Sequence, residues 1–94
     1  MNLIAILVEF LGTFIFLSVI MATGNPWAIG ATLAVLALLA GSISGGHFNP
    51  AVTLATLYNR GIAMDNAGAY IVAQVAAGLL AVSVVNQMKK RGVM

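Results

Sequence analysis

The sequence predicts an all-α membrane protein with three transmembrane helices and one re-entrant half-helix, and three observations support that fold class. First, 62% of the 94 residues are hydrophobic and only 6% are charged, whereas a soluble domain carries roughly a quarter charged residues. Second, three apolar runs approach the length that crosses a bilayer. Third, a further helical segment between two of these runs is far too short to cross. The expected solvent is therefore lipid.

The three apolar runs predict the transmembrane helices, and they cover residues 3–21, 27–44 and 67–86. A helix rises 1.5 Å per residue, so about 20 residues cover a hydrocarbon core of about 30 Å. The second run approaches this length only when Trp27 and Ser44 are counted, and the tryptophan stands where an interfacial aromatic anchor is expected. Asp65 or Asn66 is the expected N-cap of the third helix.

The segment between the second and third runs, residues 45–58, predicts a re-entrant structure. Two adjacent glycines begin it, and Asn49 followed by Pro50 is typical of an N-cap and the first residue of a helix. The helical stretch ends near Tyr58, after about eight residues, which is far short of a span. Non-helical backbone at membrane depth is tolerated only when it is buried in protein or lines a water-filled cavity. We therefore expect a loop that enters the membrane and leaves it as half a helix.

Three polar side chains within the predicted spans are candidates for chemistry. A carboxylate at Glu9 is costly in a membrane unless it finds donors. It could relay protons or bind a cation, or it could accept hydrogen bonds from the N–H groups of the re-entrant loop, and the presence of that loop favours the structural role. Thr13 lies one turn further on the same face and is expected to support Glu9. Gln74 is expected to bond another helix or, more specifically, the loop.

The residue types that are missing exclude several functions. The chain has no cysteine and a single histidine, His47, so no metal site or cofactor is expected. We expect the histidine ring to fix the loop by hydrogen bonding. No nucleophile with a base and no pair of carboxylates can be assembled, so the protein is not expected to be an enzyme. Three of the four basic residues lie together at 89–91, which is typical of a membrane end and not of a nucleic-acid interface.

Residues 44–53, Ser-Gly-Gly-His-Phe-Asn-Pro-Ala-Val-Thr, resemble the first Asn-Pro-Ala loop of the aquaporin and glycerol-facilitator (major intrinsic protein) family. Residues 9–13, Glu-Phe-Leu-Gly-Thr, resemble the first-helix motif of that family, and residues 69–74 resemble its third-helix motif. The resemblance covers essentially the whole chain in the right order. It covers one half of the family fold, which has six spans in two inverted halves. The chain, residues 1–94, is therefore expected to be a single half-aquaporin domain.

The resemblance also implies roles for individual residues. The side-chain amide of Asn49 would donate to a passing water molecule or small neutral solute, while Pro50 and Ala51 would pack against the opposing motif. Glu9 and Gln74 would hold the loop. A half-helix that ends at mid-membrane places about half a positive charge there, which repels cations and protons. The carbonyls expected to form a ladder of acceptors along the pore are those of Gly45, Gly46, His47 and Phe48.

Two features depart from the family pattern. The selectivity arginine of the family follows the second Asn-Pro-Ala motif, whereas here Val52 follows Ala51, and the constriction position of the second helix falls on Ile29, which is not aromatic. A filter built from this chain alone would be wider and less cationic, so glycerol, urea or ammonia become candidate solutes beside water. Three spans cannot enclose a pore. The expected partners are therefore lipid and either an antiparallel second copy or a complementary half-aquaporin.

Orientation and two further functions stay open. The basic residues 89–91 outnumber Arg60 on the opposite side, which favours a cytoplasmic C-terminus, whereas first halves of the family have a cytoplasmic N-terminus, so dual insertion is an alternative. The expected location is a prokaryotic-type plasma membrane. One alternative function is a truncated or hetero-assembling membrane subunit without channel activity. The other is a small proton-coupled exporter that depends on Glu9.

Overall fold

The computed structural model of the protein describes all 94 residues, and every regular element in it is helical. The all-α fold class is therefore confirmed. The mean hydropathy of the first and last helices reaches 2.6 and 2.0, and both are long and apolar enough to cross a membrane, whereas the second is apolar but only 15 residues long. The four helices are α1 (Leu3–Thr23), α2 (Pro26–Ala40), α3 (Pro50–Tyr58) and α4 (Met64–Lys90).

Three helices begin at an asparagine whose side chain accepts from N–H groups of the first turn. Asn2 caps α1 in this way, and Asn25 and Asn49 cap α2 and α3. These N–H groups have no partner inside the helix, so each cap stabilises its helix by about 1 kcal/mol. A proline follows each of the last two caps, where its missing N–H costs nothing. Helix α3 thus begins where the Asn-Pro pair predicts.

Helix α2 is shorter than the predicted run 27–44, since it ends at Ala40. Residues 41–44 form turns, and Gly45 and Gly46 follow with positive φ angles of 91° and 62°. Glycine adopts this left-handed conformation without steric cost, and a helix cannot continue through it. The chain therefore leaves the helix before Ser44 and turns into the bundle.

Helix α4 is longer than the predicted run 67–86, because polar residues at both ends continue the helix. Its N-cap is Ala63, without a side-chain hydrogen bond, so the prediction of an N-cap at Asp65 or Asn66 is wrong. Asp65 lies in the first turn instead, where a carboxylate interacts favourably with the helix dipole. The Asn66 Oδ1 atom is used elsewhere, since it accepts from Asn2 N at 2.9 Å.

Helix α1 packs against both α4 and α2, while α3 packs against α4, in a bundle of 44 × 23 × 20 Å. The two long helices are parallel. Asn2 bonds Asn66 where both begin, and Lys89 Nζ donates to Met21 O at 2.8 Å near their other ends. We name these the amino end and the carboxyl end of the bundle. Helix α2 starts at the carboxyl end, and the loop before α3 therefore enters from the amino end.

The largest fully buried side chains of the bundle are polar, whereas most of the other buried residues are small and apolar. Only 15 of the 94 residues are buried, and the largest fully buried side chains are those of Gln74, Glu9 and Thr53. Small residues of α4, among them Ala77 and Ala81, are fully buried as well, which lets neighbouring helices approach closely. Large apolar side chains cover the outside. A polar centre within an apolar exterior suits lipid as the surrounding solvent.

Candidate functional site

A buried carboxylate, Glu9, lies at the centre of the site, six residues into α1. Its Oε2 atom accepts from Ser44 Oγ at 2.6 Å and from His47 N at 3.0 Å. Its Oε1 atom accepts from Phe48 N at 2.8 Å and from Gln74 Nε2 at 2.9 Å. A buried charge is costly unless it is fully hydrogen-bonded, and these four donors offset that cost. The carboxylate joins α1 to both the loop and α4.

Residues 45–48 have every N–H group paired and every carbonyl unpaired within the chain. Gly45 N donates to Gly41 O at 3.1 Å, and Gly46 N donates to Ser44 Oγ at 3.2 Å. The next two N–H groups donate to the carboxylate of Glu9. No group of the chain donates to any of the four carbonyl oxygens. Backbone acceptors are normally paired unless water or a ligand reaches them, so this segment offers four consecutive free acceptors.

The loop holds a conformation that its own sequence does not favour. Phe48 has a φ of 53°, in the left-handed region that residues other than glycine rarely adopt. Its side chain is 2% exposed and lies directly against Gly12, where a Cβ atom would stand 2.1 Å from Phe48 Cε1. The hydrogen bond to Glu9 and this packing together hold the residue in place. Strained backbone that its surroundings hold in place is concentrated at functional sites.

A second group of hydrogen bonds fixes the loop from the side of α3 and α4. Gln74 Nε2 donates to Thr53 Oγ1 at 2.9 Å, and the same oxygen lies 2.9 Å from His47 Nδ1. Tyr70 OH donates to the carbonyl of Ser44 at 2.8 Å. Its ring also meets the histidine ring edge-on, with centroids 5.3 Å apart. The histidine therefore bonds the start of α3, as the sequence predicts for a ring that fixes the loop.

Asn49 uses only half of its side-chain amide within the chain. Its Oδ1 atom accepts from Ala51 N at 2.8 Å, and its Nδ2 atom has no partner. Asn49 and Pro50 line a groove of about 480 Å³ whose other walls come from α1 and α4 and include Thr13 and Gln74. The Nδ2 atom is therefore a free donor at the start of a helix, where the helix dipole is positive.

The sequence profile of a family described as Major intrinsic protein matches residues 23–93. The chain belongs to the major intrinsic protein family. The matched range includes the loop, α3 and α4, so it contains every residue of the site except those of α1. The resemblance that the sequence motifs indicate is thereby confirmed.

Named relatives within the major intrinsic protein family match most of this chain but less than two fifths of their own length. Glycerol uptake facilitator protein-like 6 of Lactiplantibacillus plantarum is 48% identical over 84 residues, which cover 80% of this chain and 39% of that protein. Probable aquaporin PIP2-7 of Oryza sativa subsp. japonica is 34% identical over 107 aligned residues, covering 93% and 37%. Aquaporin-5 of Sus scrofa is 36% identical over 87 residues, covering 80% and 33%.

Major intrinsic proteins are integral membrane proteins, so the membrane location that the composition predicts is supported. The relatives come from a bacterium, a plant and an animal. They do not single out the prokaryotic-type plasma membrane that was expected from the sequence.

The remaining predicted residues of this major intrinsic protein lie outside the hydrogen-bonded group. Ile29 is half-buried near the start of α2 at the carboxyl end, while Ala51 and Val52 are exposed in the first turn of α3. Thr13 is 2% exposed, and its hydroxyl bonds neither Glu9 nor the loop. The Oε1 atom of Gln74 is likewise buried without a partner. No three His, Cys, Asp or Glu side chains lie together in a way that could hold a metal ion.

The sequence analysis predicts no individual role for four residues that contribute to the site, namely Gly12, Ser44, Thr53 and Tyr70. Each lies inside one of the three motifs that carry the resemblance to the major intrinsic protein family, and only this position in a motif could have indicated its importance. Their functions depend on contacts between segments that are far apart in the chain. Tyr70, for example, bonds a carbonyl 26 positions earlier.

Proposed function

We propose that the chain supplies one half of a passive membrane channel for water or small neutral solutes. The observation that carries this proposal is the hydrogen bonding of residues 45–48. Their N–H groups all donate to protein acceptors, and their carbonyl oxygens are all free. A polar molecule that leaves bulk water needs substitutes for its lost hydrogen bonds, and a row of carbonyl oxygens provides them. The free Nδ2 donor of Asn49 follows directly after the row.

In the membrane, α1, α2 and α4 would cross as three transmembrane helices and residues 45–58 would be re-entrant. Helix α3 starts beside Thr13, midway along α1, because Asn49 and Thr13 line the same groove. Nine residues of helix cover only about 14 Å. Helix α4 begins at the amino end, with five residues between it and the end of α3, so α3 would return toward that end. Its positive N-terminus would then lie near mid-membrane, where it repels cations and protons.

The groove beside Asn49 is the proposed docking site of the second half. It is open on one side and lined by Asn49 and Pro50 together with side chains of α1 and α4. An inverted second copy would bring its own α3 to the same depth, so that the two helix starts meet and both rows of carbonyls line one path. A complementary half-aquaporin would occupy the same groove. Either partner closes a pore that three spans cannot enclose.

The solute range follows from the residues near the path. Val52 is exposed beside Asn49, and Ile29 stands near the carboxyl end. Neither side chain is charged or aromatic, so the constriction would be wider and less cationic than one that contains an arginine. We therefore include glycerol and urea beside water. The 48% identity to a glycerol uptake facilitator-like protein supports a polyol among the solutes.

The geometry does not favour an exporter that depends on Glu9. Proton-coupled transport requires a carboxylate that substrate and protons reach in turn. Glu9 is 0% exposed and both of its oxygens already accept two hydrogen bonds. Its protonation would leave donors of the loop without an acceptor. The carboxylate fits the structural role better.

Osmotic light scattering on proteoliposomes tests the channel. Vesicles that contain the wild type are expected to shrink faster in hyperosmotic sucrose than vesicles of bare lipid. Thr53→Val is expected to lower this shrinkage rate severalfold, because the variant loses the bonds to His47 and Gln74. Thr56→Val is the matched control, since that hydroxyl donates only to Val52 O within α3. A wild-type rate equal to that of bare lipid would contradict the proposal.

Cysteine cross-linking tests the pairing, because the chain has no natural cysteine. In an inverted pair the two copies of Ala51 lie close together, so Ala51→Cys is expected to give covalent dimers under mild oxidation. Tyr58→Cys is the control at the far end of α3, where the residue is 92% exposed but the two copies are distant. Full permeability of the purified protein without any Ala51→Cys dimer would contradict the inverted pairing of two copies.

A further inference from the structure

The hydrogen bonds around His47 determine which of its ring nitrogens carries the proton. The Nδ1 atom lies 2.9 Å from Thr53 Oγ1, and that oxygen already accepts from Gln74 Nε2. The Gln74 nitrogen is fixed as a donor, because it also donates to the Glu9 carboxylate, which only accepts. The hydroxyl hydrogen of Thr53, a residue that is 0% exposed, therefore needs an acceptor, and His47 Nδ1 is the one in reach.

Thr53 does not use the backbone acceptor that most other helical hydroxyls use. Five of the seven serine and threonine hydroxyls in the helices donate to the carbonyl four residues earlier, at 2.6–3.1 Å. Thr53 makes no such bond to Asn49 O, because Gln74 and His47 hold its side chain in a different direction. Its hydrogen is therefore directed to the histidine, which must accept at Nδ1.

A neutral ring that accepts at Nδ1 carries its hydrogen on Nε2. The Nε2 atom has no partner in the chain and is not enclosed. It lies beside Gly45, where an added Cβ would stand 3.1 Å from it. We infer that His47 is held as the Nε2–H tautomer and presents a single donor to solutes beside the free carbonyls of residues 45–48. Thr53 and Gln74 are the positioning residues for this donor.

The consequence for solutes rests on the proposed channel function. A row that contains only acceptors interacts with any molecule that donates hydrogen bonds. One ring N–H beside that row adds a partner for the oxygen atom of the same molecule. The site therefore selects neutral molecules that both donate and accept, such as water and polyols. It disfavours cations, which have no lone pair to offer the donor.

Nitrogen NMR on protein labelled with ¹⁵N-histidine in lipid bilayers tests the tautomer directly, because the chain contains one histidine. At alkaline pH we expect a pyrrole-type resonance with an attached hydrogen for Nε2 and a pyridine-type resonance for Nδ1. We also expect a cross-peak between the Nε2–H hydrogen and water. A hydrogen on Nδ1, or an Nε2–H without contact to water, would overturn the inference.

Variants of the positioning residues extend the test. Gln74→Leu frees the Thr53 hydroxyl to donate to Asn49 O, so its oxygen can then accept from Nδ1–H, and a second tautomer is expected in the spectrum. Thr53→Ser keeps the hydroxyl and is expected to keep the single tautomer, as is the control Thr56→Val. An unchanged tautomer ratio in folded Gln74→Leu would refute the role of Gln74. If that variant does not fold, the wild-type and Thr53→Ser spectra decide.

Osmotic measurements on the same vesicles separate this inference from the channel proposal. An Nε2–H tautomer in protein that gives no permeability would contradict the channel alone. An Nδ1–H tautomer in protein that does give permeability would overturn the assignment of His47 alone.

Discussion

Replacing Glu9 by glutamine tests whether one carboxylate holds the loop in place. Each carboxylate oxygen accepts two hydrogen bonds, whereas glutamine keeps one accepting oxygen and replaces the other by a donating NH₂ group. The least costly arrangement turns the NH₂ group toward Ser44, whose hydroxyl can rotate to accept. His47 N then faces a donor and loses its acceptor.

The expected loss follows from these contacts. An unpaired buried N–H group costs about 1–3 kcal/mol, and each hydrogen bond that changes from a charged to a neutral acceptor weakens by about 1 kcal/mol. A neutral amide avoids part of the desolvation cost of the Glu9 carboxylate, which offsets some of this loss. The free energy of unfolding should therefore fall by about 2–4 kcal/mol.

Unfolding by titration of SDS into mixed detergent micelles, followed by circular dichroism, measures this difference. The matched control is Asp65→Asn, since Asp65 is the only other acidic residue and its side chain is 59% exposed. That change should stay within about 0.5 kcal/mol, as is usual for surface substitutions. A Glu9→Gln variant as stable as Asp65→Asn would refute the role of the carboxylate as the acceptor that holds the loop.

Two other substitutions probe the packing of the bundle. Gly12→Ala should lower the free energy of unfolding in the same titration by about 1–3 kcal/mol, because its Cβ would meet the ring of Phe48 at 2.1 Å. The control is Gly68→Ala, because Gly68 has open space around it, and this change should raise the free energy of unfolding by about 0.5–1 kcal/mol. Equal changes in the two variants would contradict the packing argument. Lys89→Met removes the bond to Met21 O and should cost about 0.3–1 kcal/mol. Faster amide hydrogen exchange at the carboxyl end of α1 should accompany this loss, and unchanged exchange there would show that the bond does not hold the helix end.

Much of the fold could be predicted from local sequence, because local chemistry determines it. Apolar composition and length indicate α1 and α4, and the Asn49-Pro50 pair marks the start of α3. The end of α2 at Ala40 could not be predicted, since none of Gly41, Ser42 and Ile43 is a proline or another residue that must end a helix. The turn depends on the two glycines and on the bonds that draw the loop toward Glu9.

The site was only partly predictable, for a different reason. Glu9 and Gln74 are conspicuous as polar residues in apolar runs, and the structure brings them within 2.9 Å of each other. The left-handed conformation of Phe48 opposes the local preference of that residue type, and it depends on contacts with α1 that no local pattern reveals. Thr13 shares the face of Glu9, yet its hydroxyl bonds nothing, and its supporting role stays a prediction.

The central claim is that Asn49 and the free carbonyls form one half of a path for neutral molecules, and Asn49→Asp tests it most directly. Aspartate caps a helix as well as asparagine does, so the bond to Ala51 N and the fold should persist while the Nδ2 donor becomes a negative oxygen. Proteoliposomes should be assayed for osmotic water flux and for proton flux with an internal pH dye. We expect the wild type to pass water without protons, and Asn49→Asp to raise the proton flux severalfold and to change the water flux. Wild-type water flux no greater than that of bare lipid, or identical fluxes in the two proteins, would contradict the account.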